Sequence, residues 1–371
     1  MKATMDKSYL FSKTAECYGV LAPPILITLV VVFVEVASPN ILSHSFPNWM
    51  WLLVVVGIDV AHVWSTIFKT YLSPVARERF PLLLFLAPLI AWLGGVTLYA
   101  TCGGALFWSC FAYLAVFHFV RQQYGIYSLY ARKVSSDPRW LRELNIAAVY
   151  LAAIYPLLFW HTHLPRDFHW FVEGDFSLRI PLSVSVGAGC LFALILGAHV
   201  LIEGALLLKG AHNRLPKNLV VWGTAVAWYV GIVLNNSDLP FTVTNVVTHG
   251  VPYFTLLWLF ERKARSATTL GAHVSHREPS FTDRLFLKGS GPLHSGLGVI
   301  GFVGIAVGLA FVEEWAWDVF IWRDHPVFFG LLWGFPHITD PRMLSLIVPL
   351  LSIPQATHYI VDGFIWRVKR G

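Results

Sequence analysis

Ten mostly apolar stretches divide this sequence, at roughly 20–37, 49–69, 80–100, 104–127, 143–160, 181–208, 217–235, 240–260, 294–312 and 344–366. A helix needs about 20 such residues to cross the hydrocarbon layer of a bilayer. Within that layer only helices and closed barrels satisfy their own backbone polar groups. The expected fold class is therefore all-α: a polytopic integral membrane helix bundle of about ten transmembrane helices, forming one domain over residues 1–371. Only 13% of the residues are charged, against about 25% in soluble domains. The segment VFFGLLWGF at 327–335, bracketed by Pro326 and Pro336, is too short to span and reads as interfacial or re-entrant. The polar first nineteen residues read as a tail before the first span, not as a cleaved signal. Cys17, Cys102, Cys110 and Cys190 show no CxxC pairing, which argues against a disulfide framework or a thiolate zinc site.

Charge sorts the connections into two sets. Lys2, Lys7 and Lys13 lie in the first tail, Arg77 and Arg79 in the 70–80 loop, and Arg132, Lys133, Arg139 and Arg142 in the 128–142 loop. Lys209, Arg214 and Lys217 follow in the 209–217 loop, and six Lys or Arg residues in the polar 261–293 loop. Alternate connections are poor in basic residues: 38–48, 101–103 and 236–239 have none, and the one at 313–325 carries Glu313, Glu314, Asp318 and Asp324 against Arg323 alone. The positive-inside rule then puts both termini and the 261–293 loop in the cytoplasm. The net charge of +6 belongs to these loops; no basic-aromatic motif points to nucleic acid.

Of fifteen histidines, five fall inside the apolar stretches: His62, His118, His199, His249 and His358. The alternation of loops places them on the five helices that run from outside to inside. Each has a polar neighbour three or four residues away, and so on its own helix face. Asp59 precedes His62, Gln122 follows His118, Glu203 follows His199, Asn245 and Tyr253 flank His249, and Gln355 and Asp362 flank His358. Ionisable groups inside a bilayer are costly and face the bundle interior or a wet cavity. Four or five histidines at similar depth point to a shared metal site, with His62, His118, His249 and His358 as the stronger members. Imidazole suits iron, zinc, copper and nickel, and the carboxylates and amides could add ligands or orient the rings. His161 and His163 fall in a connection and are expected to play no part.

The motifs resemble those of the Brp/Blh membrane family, which includes β-carotene dioxygenases that make retinal with histidine-bound iron. VGIDVAHVWSTI corresponds to the first histidine motif, AVFHFVRQQYG to the second, VVTHGVPYFTLLW to the third and SIPQATHYIVDGFIWR to the last. Tyr253 stands where a further histidine is expected. The resemblance implies His62, His118, His249 and His358 as ligands of one or two iron ions, and a non-haem oxygenase, hydroxylase or desaturase acting on a hydrophobic small molecule such as a lipid or carotenoid. An electron donor of unknown kind would accompany it. Two other readings of the same residues stay open. Intramembrane His, Asp and Glu also suit a transporter, and a pair of histidines could hold a single haem for electron transfer.

The topology has a direct check. Reporter fusions after residues 42, 101 or 238 are expected to read as extracytoplasmic; a cytoplasmic reading at 238 would reverse the 240–260 helix and remove the shared direction of the histidine-bearing helices.

Overall fold

The computed structural model describes residues 8–38, 46–134, 137–272 and 292–366, without the side chains of 266–272 and 292–297. Every regular element among them is helical. We number the long helices α1 (Lys13–Ala37), α2 (Asn48–Phe68), α3 (81–102), α4 (104–131), α5 (Arg139–Thr162), α6 (Leu182–Leu208) and α7 (His212–Leu234). They continue with α8 (Asp238–Ala272), α9 (Pro292–Trp317), α10 (Pro341–Leu351) and α11 (Ile353–Ile365). Among the described residues, seven helical runs are long and apolar enough to cross a membrane, or eight if α10 and α11, bent by 42°, make one span. Each of the ten sequence stretches falls on one of these helices or on the α10–α11 pair. Two share a single 51-residue run, Pro81–Ala131. The α8 helix is too polar to be among the seven.

Local chemistry explains the breaks. Gly103 interrupts the 51-residue run with φ 84° and ψ 166°, a region open essentially to glycine alone. Without that break the run would be about 76 Å long at 1.5 Å per residue. The N-terminus of α10 is capped by Asp340, which accepts from the Arg342 and Met343 N–H groups, with Pro341 in the first turn. Pro138 and Pro181 directly precede α5 and α6. Wide π-helical turns occupy Trp51–Val60, Tyr229–Leu234 and Asp318–Trp322.

The chain divides into two compact units, one of residues 1–46 and 108–252 and one of residues 47–107 and 253–371. In the first, α5 packs on α6 and α7, and α1 packs on α7. Its core is aromatic, with Phe119, Trp160, Phe168, Phe176, Trp228 and Phe241 in one buried cluster. The loop after α5 contributes several of these rings and is held by two side chains. Asp175 accepts from the N–H groups of Trp170, Phe171 and Val172 at 2.9, 2.7 and 3.3 Å, and from Phe176 at 2.8 Å. Burial pushes its carboxyl above the ordinary range, against the pull of these N–H groups. Arg166 donates to the carbonyls of Ile232 and Asn235 at 2.7 and 2.5 Å, tying the loop to the end of α7.

In the second unit, α2 packs on α9 and α11, and α9 also meets α10. Phe68, Tyr253, Leu257, Trp258 and Phe302 form one apolar cluster, and Leu84, Ala87 and Val361 a second.

The distribution of polarity is inverted relative to a water-soluble protein. Of the 27 residues of α6, the buried ones are Ser185, His199 and Glu203, while Leu194, Leu201 and Leu208 are 68, 75 and 92% exposed. Leu26, Leu29, Phe33 and Val36 of α1 are exposed as well. Large apolar side chains outside and carboxylates inside are what a bilayer solvent selects.

Three sequence expectations shift. Helix α8 runs to Ala272, well into the stretch read as the 261–293 loop; residues 273–291, with His273, His276, Arg277, Arg284 and Lys288, lie outside the described residues, as does His44. The acidic residues read as a solvated loop at 313–325 begin on a helix, because α9 continues to Trp317. Glu313 is buried and accepts from Trp64 Nε1 at 2.6 Å. Asp318, also buried, accepts from the Asp324 and His325 N–H groups and from Trp333 Nε1. Charge counting along a sequence cannot separate acids that face water from acids that bind indole and backbone N–H groups. The first helix also begins earlier than the expected tail allows, at Lys13, where buried Glu16 accepts from the N–H groups of Leu10, Phe11 and Ser12.

Gly103 supplies the test of this helix division. A methyl group there would meet no atom within 4 Å, so Gly103→Ala isolates the backbone penalty. We expect a loss of about 1–3 kcal/mol in detergent unfolding. Gly94→Ala, also in open space but within α3, should be neutral or stabilising by up to about 1 kcal/mol.

Candidate metal centre

Two histidine pairs can be built from their own helices. His62 follows the π-helical turn of α2 and His358 lies in α11; both are buried, at 2 and 1% exposure. Their rings sit nearly perpendicular, 81° apart, with centroids separated by 5.0 Å. His62 Nδ1 lies 3.7 Å from Asp59 Oδ1. His358 Nδ1 is 2.7 Å from Thr66 Oγ1, which is 2.8 Å from the Tyr253 hydroxyl. Tyr253 in turn donates to Asp362 Oδ1 at 2.8 Å. The direct His358 Nδ1 to Asp362 separation is 3.9 Å, too long for a hydrogen bond. Thr66 was not among the residues that helical spacing marked. It lies four positions after His62, so spacing pairs it with that histidine, and it reaches His358 only across helices.

The second pair is His118 of α4 and His249 of α8, both buried. Their rings cross at 79° with centroids 5.1 Å apart. Phe119 stacks flat on His249, 3.5 Å between centroids and 5° from parallel, and Trp170 meets the edge of Phe119. The aromatic core thus supports one face of the His249 ring. Gln122 donates from Nε2 to the His249 backbone carbonyl at 2.8 Å, so the amide expected to serve His118 braces the helix that carries its neighbour. Gln123 does the same for the Thr248 carbonyl at 3.2 Å.

One ring nitrogen from each of His62, His118, His249 and His358 lies within 4.8 Å of the other three, so the four form a buried group able to hold a metal ion. Two nitrogens bonded to one ion at about 2.1 Å lie at most about 4.2 Å apart, so the group is close to ligating distance. Ring placement gives a second comparison. An imidazole centroid sits about 3.2 Å from an ion that its nitrogen binds at about 2.1 Å, and two such rings at a tetrahedral angle have centroids about 5.2 Å apart. The two pairs, at 5.0 and 5.1 Å, match that spacing. The donor set is four imidazoles, a set that suits divalent iron, zinc, copper or nickel and not magnesium or calcium.

The remaining residues marked by spacing take other places. Asn245 donates from Nδ2 to the Phe241 carbonyl at 2.8 Å, one turn back on its own helix. Gln355 lies beside the Glu313 carboxyl, to which Trp64 Nε1 donates. His199 and Glu203 are not members of the four-histidine group. They belong to a separate network in which Glu203, fully buried, accepts from Asn145, Arg214, Lys217 and Asn218 at 2.6–3.1 Å. His199 Nδ1 is 2.9 Å from Asn145 Oδ1, and Asp137 completes the pairing of Arg214 at 2.6 Å. A buried carboxylate so fully matched by cations and amides holds helices together. His161 is buried, not solvated as its connection position suggested, and both ring nitrogens are engaged, Nε2 with the Tyr113 hydroxyl and Nδ1 with the Leu157 carbonyl, each at 2.7 Å.

Comparison with family models, with curated proteins and with solved structures finds no match for the chain.

Proposed function

We propose that this chain is a multi-pass membrane protein of about ten spans with both termini in the cytoplasm, and that it is a metal-dependent oxidoreductase. His62, His118, His249 and His358 would hold the metal, read as iron from the motif resemblance. The reaction would be oxygenation, hydroxylation or desaturation of a hydrophobic molecule such as a lipid or carotenoid. The single observation that carries this reading is the group of four buried histidines with ligand nitrogens within 4.8 Å of one another. Mutual repulsion would oppose protonation of more than one of these rings, and the neutral imidazole is a common metal ligand. The inverted polarity of α1 and α6 supports the membrane placement.

Iron bound by neutral imidazoles with open positions supplies dioxygen chemistry when present. The chain's own part is to keep the rings neutral, aimed and dry. Phe119 and the rings behind it exclude water from one side of His249. Asp59 lies beside His62.

Metal analysis and an optical spectrum of the detergent-purified protein test the reading: iron without a Soret band supports it, and absence of any bound metal overturns it. Replacing any one of the four histidines with Ala is expected to strip the metal or weaken it at least 100-fold while the helical circular dichroism is retained, and His161→Ala should leave metal content unchanged. Neutral isosteres of Asp59 or Gln122 should give graded losses of about 10- to 100-fold. Full metal content in all four Ala variants would remove the site.

Ligating nitrogens must be unprotonated, so metal retention should fall as pH drops through about 6.5, the ordinary imidazole value. The sign follows from competition: protons displace the metal from imidazole at low pH, and loss of the proton at higher pH leaves the ring nitrogen able to bind it. Dialysis at stepped pH with metal quantification reads this directly, and retention unchanged to about pH 4.5 would count against histidine as the main ligand.

A further inference from the structure

The hydroxyl of Thr66 has one proton to give, and that decides the state of His358. Tyr253 gives its only hydroxyl proton to Asp362 at 2.8 Å. The 2.8 Å contact between Thr66 Oγ1 and the Tyr253 oxygen must then be donated by Thr66. With that proton committed, the 2.7 Å contact between Thr66 Oγ1 and His358 Nδ1 must be donated by the ring. Thr66 is free for this role because it makes no bond to the carbonyl one turn back, as Thr28, Thr70, Thr224 and Thr244 do in their helices. The corresponding carbonyl of His62 is taken by Ser65 Oγ at 2.6 Å. The chain of donors ends on Asp362 Oδ1. Thr66, Tyr253 and His358 are 4, 2 and 1% exposed, which keeps water from competing for the same donors.

We infer that Asp362, acting through Tyr253 and Thr66, holds His358 in the Nδ1–H tautomer and so presents its Nε2 lone pair as a ligand. Thr66, Tyr253 and Asp362 are positioning residues. This also gives Tyr253 a role that is not ligation. The ligand function of Nε2 rests on the proposed metal site; the tautomer does not, because the hydrogen-bond order exists without an ion. Histidine ligands commonly donate their other nitrogen to a carboxylate or carbonyl. Here two hydroxyls extend that link because the carboxylate itself is 3.9 Å away.

The test is made on full-length, ¹⁵N-histidine-labelled protein, metal-free, by solid-state NMR, with the His358 signal identified by its loss in His358→Gln. The wild type should show His358 as Nδ1–H, and Thr66→Ser should keep it. Thr66→Val should move it toward the Nε2–H form that free neutral imidazole prefers. In parallel, chelator competition with Zn²⁺ and Fe²⁺ should show about a 10- to 100-fold weaker affinity for Thr66→Val and a near-wild-type value for Thr66→Ser. Tyr253→Phe should lose less than Thr66→Val, and adding it to Thr66→Val should lose nothing more, since the link is already cut. An Nε2–H ring in the wild type, an unmoved signal in Thr66→Val, or additive losses in the double variant would overturn the relay. The correct tautomer in a protein that binds neither metal would leave the relay standing and overturn the metal reading instead.

Discussion

The cost of burying a polar group without a partner organises this molecule. An unpaired hydroxyl or amide in apolar surroundings costs roughly 2–7 kcal/mol depending on the reference, and a charge more. The chain nevertheless buries His62, His118, His199, His249, His358, Glu203 and Lys217. Several buried groups are met locally. Glu203 is matched by four donor residues, Glu313 by the Trp64 indole, Asp318 by a turn of backbone and an indole, and His358 by Thr66.

These networks do different jobs although they are written with the same residue types. The Glu203 network contains two carboxylates, an imidazole, an amide pair and two cations, and its strong donors end on Glu203 and Asp137. That closed pattern binds α6 to α5 and to the start of α7. The four-histidine group is the opposite case. Its rings cross nearly at right angles with nitrogens converging on one region, and no carboxylate belongs to the group. One nitrogen from each of four imidazoles within 4.8 Å of the others makes a donor set suited to a transition metal, which is the physical reason for reading the group as a metal centre.

The supports around the rings follow from the same logic. A ligand ring needs one edge free and the rest held. Phe119 holds His249 by its face, Gln122 braces the His249 backbone, and Thr66 holds His358 by Nδ1. The π-helical turn that ends at Val60 adds a residue per turn immediately before His62, and such turns are frequent at functional sites because they re-aim the next side chain.

Read without coordinates, the apolar run lengths determined an all-helical chain, and the placement of His62, His118, His249 and His358 in four of those runs determined the candidate ligand set. Run length is legible because a helix that satisfies its own backbone needs only local sequence, and i, i+3 and i, i+4 spacing is legible because it is a property of one helix. Partnership across helices is not. Spacing assigned Gln355 to His358, Gln122 to His118 and Glu203 to a shared site, whereas packing gave Gln355 to Glu313, Gln122 to the His249 carbonyl and Glu203 to Arg214 and Lys217. Thr66, four residues after His62, carried no signal toward His358, since a threonine in an apolar run usually bonds its own helix. Only the tertiary structure could decide these partners, because a side-chain hydrogen bond is won by whichever donor stands within about 3 Å, and which donor that is depends on how separate helices are rotated against one another.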